Sequence, residues 1–215
     1  MKHRLVIIII IILLVLIIWV LYEQNKPEPA PPHDANNSHN EDSTQITELP
    51  VNEDGLFMVI IPQNLFGGEN KTAEDIANSY LSNPNHDRIL TNVIPNSDGS
   101  VTMLLTLGQL TAFKENCYIT SQFHITYDVE SIIEVIIEDI LFVEVTVLVN
   151  RILFINNEFE RLMCSIVLFN NAGTYQVLSG VPPDEWHTTI TIKDVDTGEI
   201  IRQTYYPNDD MYKVY

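Results

Sequence analysis

Eighteen consecutive residues without a charge, Leu5 to Tyr22, constrain this chain more than any other feature, because 16 of them are Ile, Leu or Val. Coiled into an α-helix, the run reaches about 27 Å at 1.5 Å per residue, close to the ~30 Å hydrocarbon thickness of a bilayer. It has no polar face, so an amphipathic soluble helix does not compete with a membrane-spanning one. Lys2 and Arg4 precede it and Glu23 follows it. The excess of basic residues on the cytoplasmic side then predicts a single pass with everything after Tyr22 outside the cell. A cleaved signal peptide is the alternative. The run is longer than the 7–15 residues of an ordinary signal core, and Val20-Leu21-Tyr22-Glu23 lacks small residues at cleavage spacing, so a retained anchor over residues 1–22 is favoured.

Residues 23–50 hold five prolines, six acids and one lysine, with few aliphatic side chains. Such a stretch buries too little apolar surface to offset its ordering entropy and reads as a disordered linker. Residues 51–215 form the remaining unit, long enough to bury about 70% of its unfolded surface without a metal or disulfide. They carry 23 acids against eight bases, a net charge of −15 within a chain total of −18. Phosphate backbones demand a basic footprint, so nucleic acid is excluded as a partner.

Within 51–215 the pattern predicts an α+β domain: helices on one face of a largely antiparallel sheet, with two long helices packed on it. Leu56–Ile61, stopped by Pro62, reads as the first strand, and Thr72 with Glu74 and Asp75 opens a helix ending near Leu81. Arg88–Ile94 and Val101–Thr106 flank Asp98-Gly99 as a hairpin. Leu107 to about Val135 reads as one helix, since Leu110, Phe113 and Cys117 share a helical face, as do Val129, Ile132, Ile133 and Ile136. Ile137–Asn150 reads as one or two central strands. Asn156 or Asn157 caps a second long helix running to Ser179, stopped by Gly180. Thr188–Val195 and Glu199–Thr204 close a second hairpin across Asp196-Thr197-Gly198.

The strand ending in Ile61-Pro62, the Asp98-Gly99-Ser100-Val101-Thr102 hairpin, the helix end Gly173-Thr174-Tyr175-Gln176…Ser179-Gly180-Val181 and the hairpin Asp194-Val195-Asp196-Thr197-Gly198-Glu199 occur in that order. In this the chain resembles an uncharacterised family of secreted lipoproteins of Gram-positive bacteria, over residues 55–205. The resemblance implies an extracytoplasmic address and carries no activity, cofactor or catalytic residue with it. The chain departs from that pattern in having no lipid-attachment cysteine and keeping a long apolar run instead.

Chemistry-bearing motifs are few. Asp194-x-Asp196-x-Gly198-Glu199 suggests a calcium loop, but an EF-hand needs Gly at position six and Glu at twelve, and a hairpin turn is favoured. His3, His33, His39, His86, His124 and His187 lack zinc-ligand spacing; His124 and His187 remain acid–base candidates without a nucleophile beside them. Asp184-Glu185-Trp186-His187 reads as a core tryptophan with solvated neighbours in preference to an exposed recognition patch. Glu134, Glu138, Asp139 and Glu144 are close enough in sequence to pair as general acid and base across a cleft, or to form a solvated face. Asn36 and Asn70 sit in glycosylation sequons, and Cys117 and Cys164 read as core thiols, with a single disulfide the alternative. No catalytic, cofactor-binding or metal-binding residue is assigned.

Two functional classes remain. The first is a membrane-tethered extracytoplasmic module, not an enzyme, that binds a protein, peptide or envelope component through an acidic surface. The second is an envelope hydrolase whose carboxylates meet only in the fold.

Overall fold

A computed structural model describes residues 46–66, 71–84, 86–122 and 129–207. The apolar run Leu5–Tyr22, the linker up to residue 45, both sequon asparagines, Gly67-Gly68 and His124 lie outside the described residues. Among those described, no helix is long and apolar enough to cross a membrane.

The domain is α+β, and its described residues include seven strands divided between two sheets. The first sheet contains β1 (Phe57–Ile61), β2 (Asn92–Pro95) and β3 (Val101–Leu105) in the order β1-β3-β2, all antiparallel. Between β1 and β2 lie a 3₁₀ turn (Gln63–Phe66), helix α1 (Ala73–Leu81) and a single helical turn α2 (His86–Ile89). Thr72 caps α1 as the sequence predicts: its hydroxyl accepts from Asp75 N while the Asp75 carboxylate accepts from Thr72 N. The β2–β3 hairpin turns at Gly99, whose φ of 88° is open only to glycine without strain. The strand expected from Arg88 begins only at Asn92, because His86 to Ile89 coil behind Asn83, whose carbonyl accepts from His86 N at 2.9 Å.

Helix α3 (Leu107–Ser121) follows, with Thr106 and Gln109 forming its capping box. The helix expected to continue to Val135 stops here. Ser121 Oγ donates to Cys117 O at 2.8 Å in the last turn, and Ile132–Ile137 is strand β4. A run of β-branched residues meets helical spacing and strand alternation equally well, and pairing with β5 (Glu144–Val149) decides for the strand.

The second sheet has the order β4-β5-β6-β7, with β6 (Thr188–Asp194) and β7 (Ile200–Tyr206). One largely antiparallel sheet was the expectation; instead there are two, and β5 pairs with β6 in parallel. The parallel pair requires a crossover, supplied by α4 (Arg151–Asn156) and the 21-residue α5 (Glu158–Leu178). Asn157 caps α5 by accepting from Glu160 N at 3.2 Å. Gly180, at φ 92°, terminates it while Val181 N reaches back to Gln176 O at 3.0 Å.

Helix α5 packs on α3, on β1 and the turn behind it, and on β6, so it touches both sheets. A methyl group on Gly173 would lie 2.4 Å from Leu65 Cδ2 and 3.0 Å from the Trp186 ring, so the bare backbone is what admits both side chains. Trp186 is 2% exposed and meets Phe169 edge-on at 5.2 Å, while Phe169 meets Tyr206 at 5.0 Å. Thr47 and Pro50, within the stretch the sequence gives to the linker, are tied to the domain. Thr47 N and Oγ1 both donate to Gly180 O at 2.9 Å, and Pro50 O accepts from Met58 N at 2.8 Å.

Gly180→Ala places a Cβ 2.1 Å from Thr47 O. The expected cost is about 2–4 kcal/mol, combining that clash with the left-handed penalty. Gly198, at φ 71° with open space around it, serves as the control, and Gly198→Ala is expected to lose only about 1 kcal/mol. Denaturant unfolding followed by the near-ultraviolet circular dichroism of the aromatic cluster separates them; equal midpoints would refute the close-contact account.

Candidate functional site

The acids singled out in the sequence are gathered at one hairpin, β4–β5, and two of them are engaged in building its loop. Asp139 accepts from the backbone N–H of Leu141, Val143 and Glu144 at 2.7, 3.1 and 2.7 Å, and Glu138 accepts from Thr146 Oγ1 at 2.6 Å. Glu134 and Glu144 are exposed. Asp139 therefore organises backbone, as a carboxylate facing several amides does.

What the Asp139 loop holds is Phe142. Its φ is 61°, a left-handed conformation that costs a bulky residue on the order of 1–3 kcal/mol and persists only where surroundings enforce it. Enforcement comes from the Asp139 carboxylate on one side and from Thr188 Oγ1, which donates to Phe142 O at 2.7 Å, on the other. Thr189 N adds a bond to Val143 O at 2.7 Å. The buried Phe142 ring packs against Tyr175 of α5 at 4.6 Å and against Tyr118 of α3 at 6.1 Å, nearly perpendicular to the latter.

Those two tyrosines line a groove of about 410 Å³ between α3 and α5, together with Thr111, Lys114, Glu115 and Ile119. Tyr118 is 51% exposed and Ile119 60%, large apolar surface for a soluble face. Lys114 Nζ stands 5.1 Å from the centre of the Tyr175 ring, within cation–π range. Burial first, and then the neighbouring Cys117, raises the Tyr175 phenol above its ordinary value. The groove thus offers two aromatic rings, a cation and a carboxylate beside a strained Phe142.

The other sequence candidates are placed elsewhere. Trp186 belongs to the core, as the favoured reading of Asp184-Glu185-Trp186-His187 has it: Gly173 leaves room for the indole beneath α5. Gln176 fastens the backbone of His187 from both sides, and the imidazole lies 5.9 Å from the Tyr205 ring. His86 is engaged by Asp87 and by Asn83 O. Asp194 accepts from Thr197 Oγ1 at 2.7 Å, which chiefly holds its carboxyl below the usual range, and Gly198 N closes the turn on Asp194 O. Among the described residues no group of three or more His, Cys, Asp or Glu could hold a metal ion.

Sequence reasoning passed over Glu160, which is 8% exposed and accepts from Ser131 N at 3.1 Å and from Ser131 Oγ. Three residues beyond the Asn157 cap, it matches the position of a capping-box glutamate; it reaches instead across to the start of β4.

No protein-family model matches this chain, and no curated protein or solved structure matches it either.

Cys117 and Cys164 are buried and unbridged, and burial pushes both thiols up to about 12 from an ordinary value of 9.0. Raised folded-state values stabilise the thiol form, so this contribution is complete below pH 9 and erodes as pH climbs from 9 toward 12. Neither cysteine is expected to react with iodoacetamide at pH 8 in the native protein, and both should react once it is unfolded. Intact-mass measurement before and after denaturation reads this directly; alkylation of the native chain within minutes would contradict it.

Proposed function

We propose that this chain is a membrane-tethered extracytoplasmic binding module, anchored by Leu5–Tyr22, spaced from the bilayer by the proline- and acid-rich linker, and engaging a polypeptide partner through the α3–α5 groove. The observation that carries the reading is the groove itself: exposed Tyr118 and Ile119 beside Tyr175, seated on a Phe142 held at φ 61°. Tyrosines with little rotamer freedom are favoured contact residues, and strain tolerated beneath them keeps them in place before a partner arrives. The net charge of −15 over residues 51–215 adds selectivity for cationic partners. The competing reading, an envelope hydrolase, draws on carboxylates of which Glu138 and Asp139 are already engaged by Thr146 and three amides.

A photo-cross-linking residue in place of Tyr118, in the full chain on intact cells, is expected to give discrete protein adducts that one in place of exposed Glu53 does not. Tyr175→Ala should reduce their yield about 10- to 30-fold, the loss of one hot-spot side chain. Raising the salt well above physiological strength should weaken them further, because the charge attraction is screened beyond about 8 Å even at physiological strength. Identical patterns from both positions would sink the groove as the contact surface.

The topology has its own test. A C-terminal tag on the full chain should be removed from intact cells by a protease that does not cross membranes. A tag that survives until lysis would reverse the orientation.

A further inference from the structure

The side of α3 turned away from the groove lines a second pocket, of about 480 Å³. Gln109, Ala112, Phe113 and Asn116 reach it from positions i, i+3, i+4 and i+7, a single stripe of the helix. Tyr80, next to last in α1, and Arg88 and Ile89 of α2 supply the facing walls. The volume is in the usual range for small-molecule sites. Tyr80, Ile89 and Phe113 are half-buried, and no acid is among the lining residues.

The frame of the pocket is held by Gln109. Its Nε2 donates to Asp87 O at 2.8 Å, while its Oε1 accepts from Thr91 Oγ1 at 3.0 Å and from Thr106 N at 2.8 Å. The short turn carrying Arg88 and Ile89 is thereby fastened to the first turn of α3. Tyr80 is steadied by Phe66, which meets its ring edge-on at 6.3 Å. Burial first, and then Cys117, pushes the Tyr80 phenol up to about 12, the mark of a hydroxyl poorly served by water.

Gln109 is occupied, but three other polar groups of the lining are not. The Tyr80 hydroxyl, the Asn116 side-chain amide and the Arg88 guanidinium make no hydrogen bond or ion pair among the described residues. The acid beside Arg88 in sequence, Asp87, is engaged by His86, whose Nε2 lies 2.8 Å from Asp87 Oδ1. A phenol, an amide and a guanidinium can all donate, and beside them stand two aromatic rings and the aliphatic Ile89 and Ala112.

We propose that this pocket binds a small aromatic monocarboxylate, its head group at Arg88 with Asn116 and Tyr80 as further donors, and its ring against Phe113, Tyr80 and Ile89. A planar guanidinium matches the two oxygens of a carboxylate. Aromatic walls favour an aromatic body over an aliphatic one, because ring pairs gain from edge-on and offset contact beyond the area they bury. The site is separate from the α3–α5 groove, and its ligand depends neither on the partner proposed there nor on the membrane anchor.

The test uses the full chain in nanodiscs of neutral phospholipid, with empty nanodiscs as baseline, and saturation-transfer NMR of four probes. Phenylacetate has both head and ring; acetate lacks the ring, 2-phenylethanol lacks the charge, and cyclohexylacetate lacks the aromaticity. Phenylacetate is expected to give about tenfold more transfer than acetate or 2-phenylethanol, and about threefold more than cyclohexylacetate. Arg88→Gln should remove the excess over 2-phenylethanol, and Arg88→Lys should retain some of it. Lys71→Gln, which removes an equal charge from an exposed position outside the lining, should leave it unchanged. Equal transfer to phenylacetate and any one of the other probes in the wild-type protein would overturn the proposal whatever the variants do. So would undiminished phenylacetate binding in an Arg88→Gln protein whose near-ultraviolet circular dichroism shows it folded.

Discussion

The missing side chain at Gly173 is the constraint on which this domain is built. Helix α5 is the element shared by the two sheets, and at Gly173 it must admit Leu65 from behind β1 and Trp186 from in front of β6. Any Cβ there would force one of them away. A core made of two small sheets is then continuous only because one turn of one helix is thin. Buried Ala172 beside it and the Phe169–Trp186–Tyr206 cluster extend the same seam.

With α5 so fixed, its two ends face different surroundings. Tyr175, near the C-terminal end, looks into the groove with α3, and Arg161, in the first turn, into a pocket behind β7. Fourteen residues of helix separate them, roughly 21 Å at 1.5 Å per residue. The groove is aromatic and open; the pocket sets Arg161, Arg202 and Gln203 beside Phe154, Ile155, Ile192 and Ile201. Both use side chains supplied by three elements or more, once the Phe142 loop is counted.

This division explains what could be read from the sequence. The Thr72 cap, the Asp98-Gly99 turn, the Asn157 cap and the Gly180 and Gly198 terminations are legible because each is decided within a few residues by donor geometry or by φ. The split into two sheets was not, since Ile132–Ile137 satisfies helical spacing as well as strand alternation, and only β5, several residues later, chooses. Trp186 reads as a core residue from the sequence, but the room made for it by Gly173, thirteen positions upstream, does not. The candidate sites were the least legible. Phe142 is strained by Asp139 and Thr188 acting from opposite sides, and Arg88 and Ile89 are brought to α3 by a bond from Gln109 to Asp87 O that no local pattern announces. What the sequence did offer at the sites, a run of acids in the β4–β5 hairpin, turned out to be the scaffold of a loop whose purpose is an aromatic ring.

The attachment of Thr47 to Gly180 has a mechanical meaning. Two donors of one residue converge on a single carbonyl, and the chain then passes Pro50, bonded to Met58, and the Val51–Phe57 bridge before entering β1. A pull on the polypeptide ahead of Thr47 is therefore met first at the terminus of α5, where the loaded bonds can break in succession, residue by residue. Beyond them the load comes onto β1, which is held to β3 along five paired positions. The domain thus carries a compliant first stage in series with a stiffer second one, so that modest tension lengthens its attachment before it disturbs either sheet.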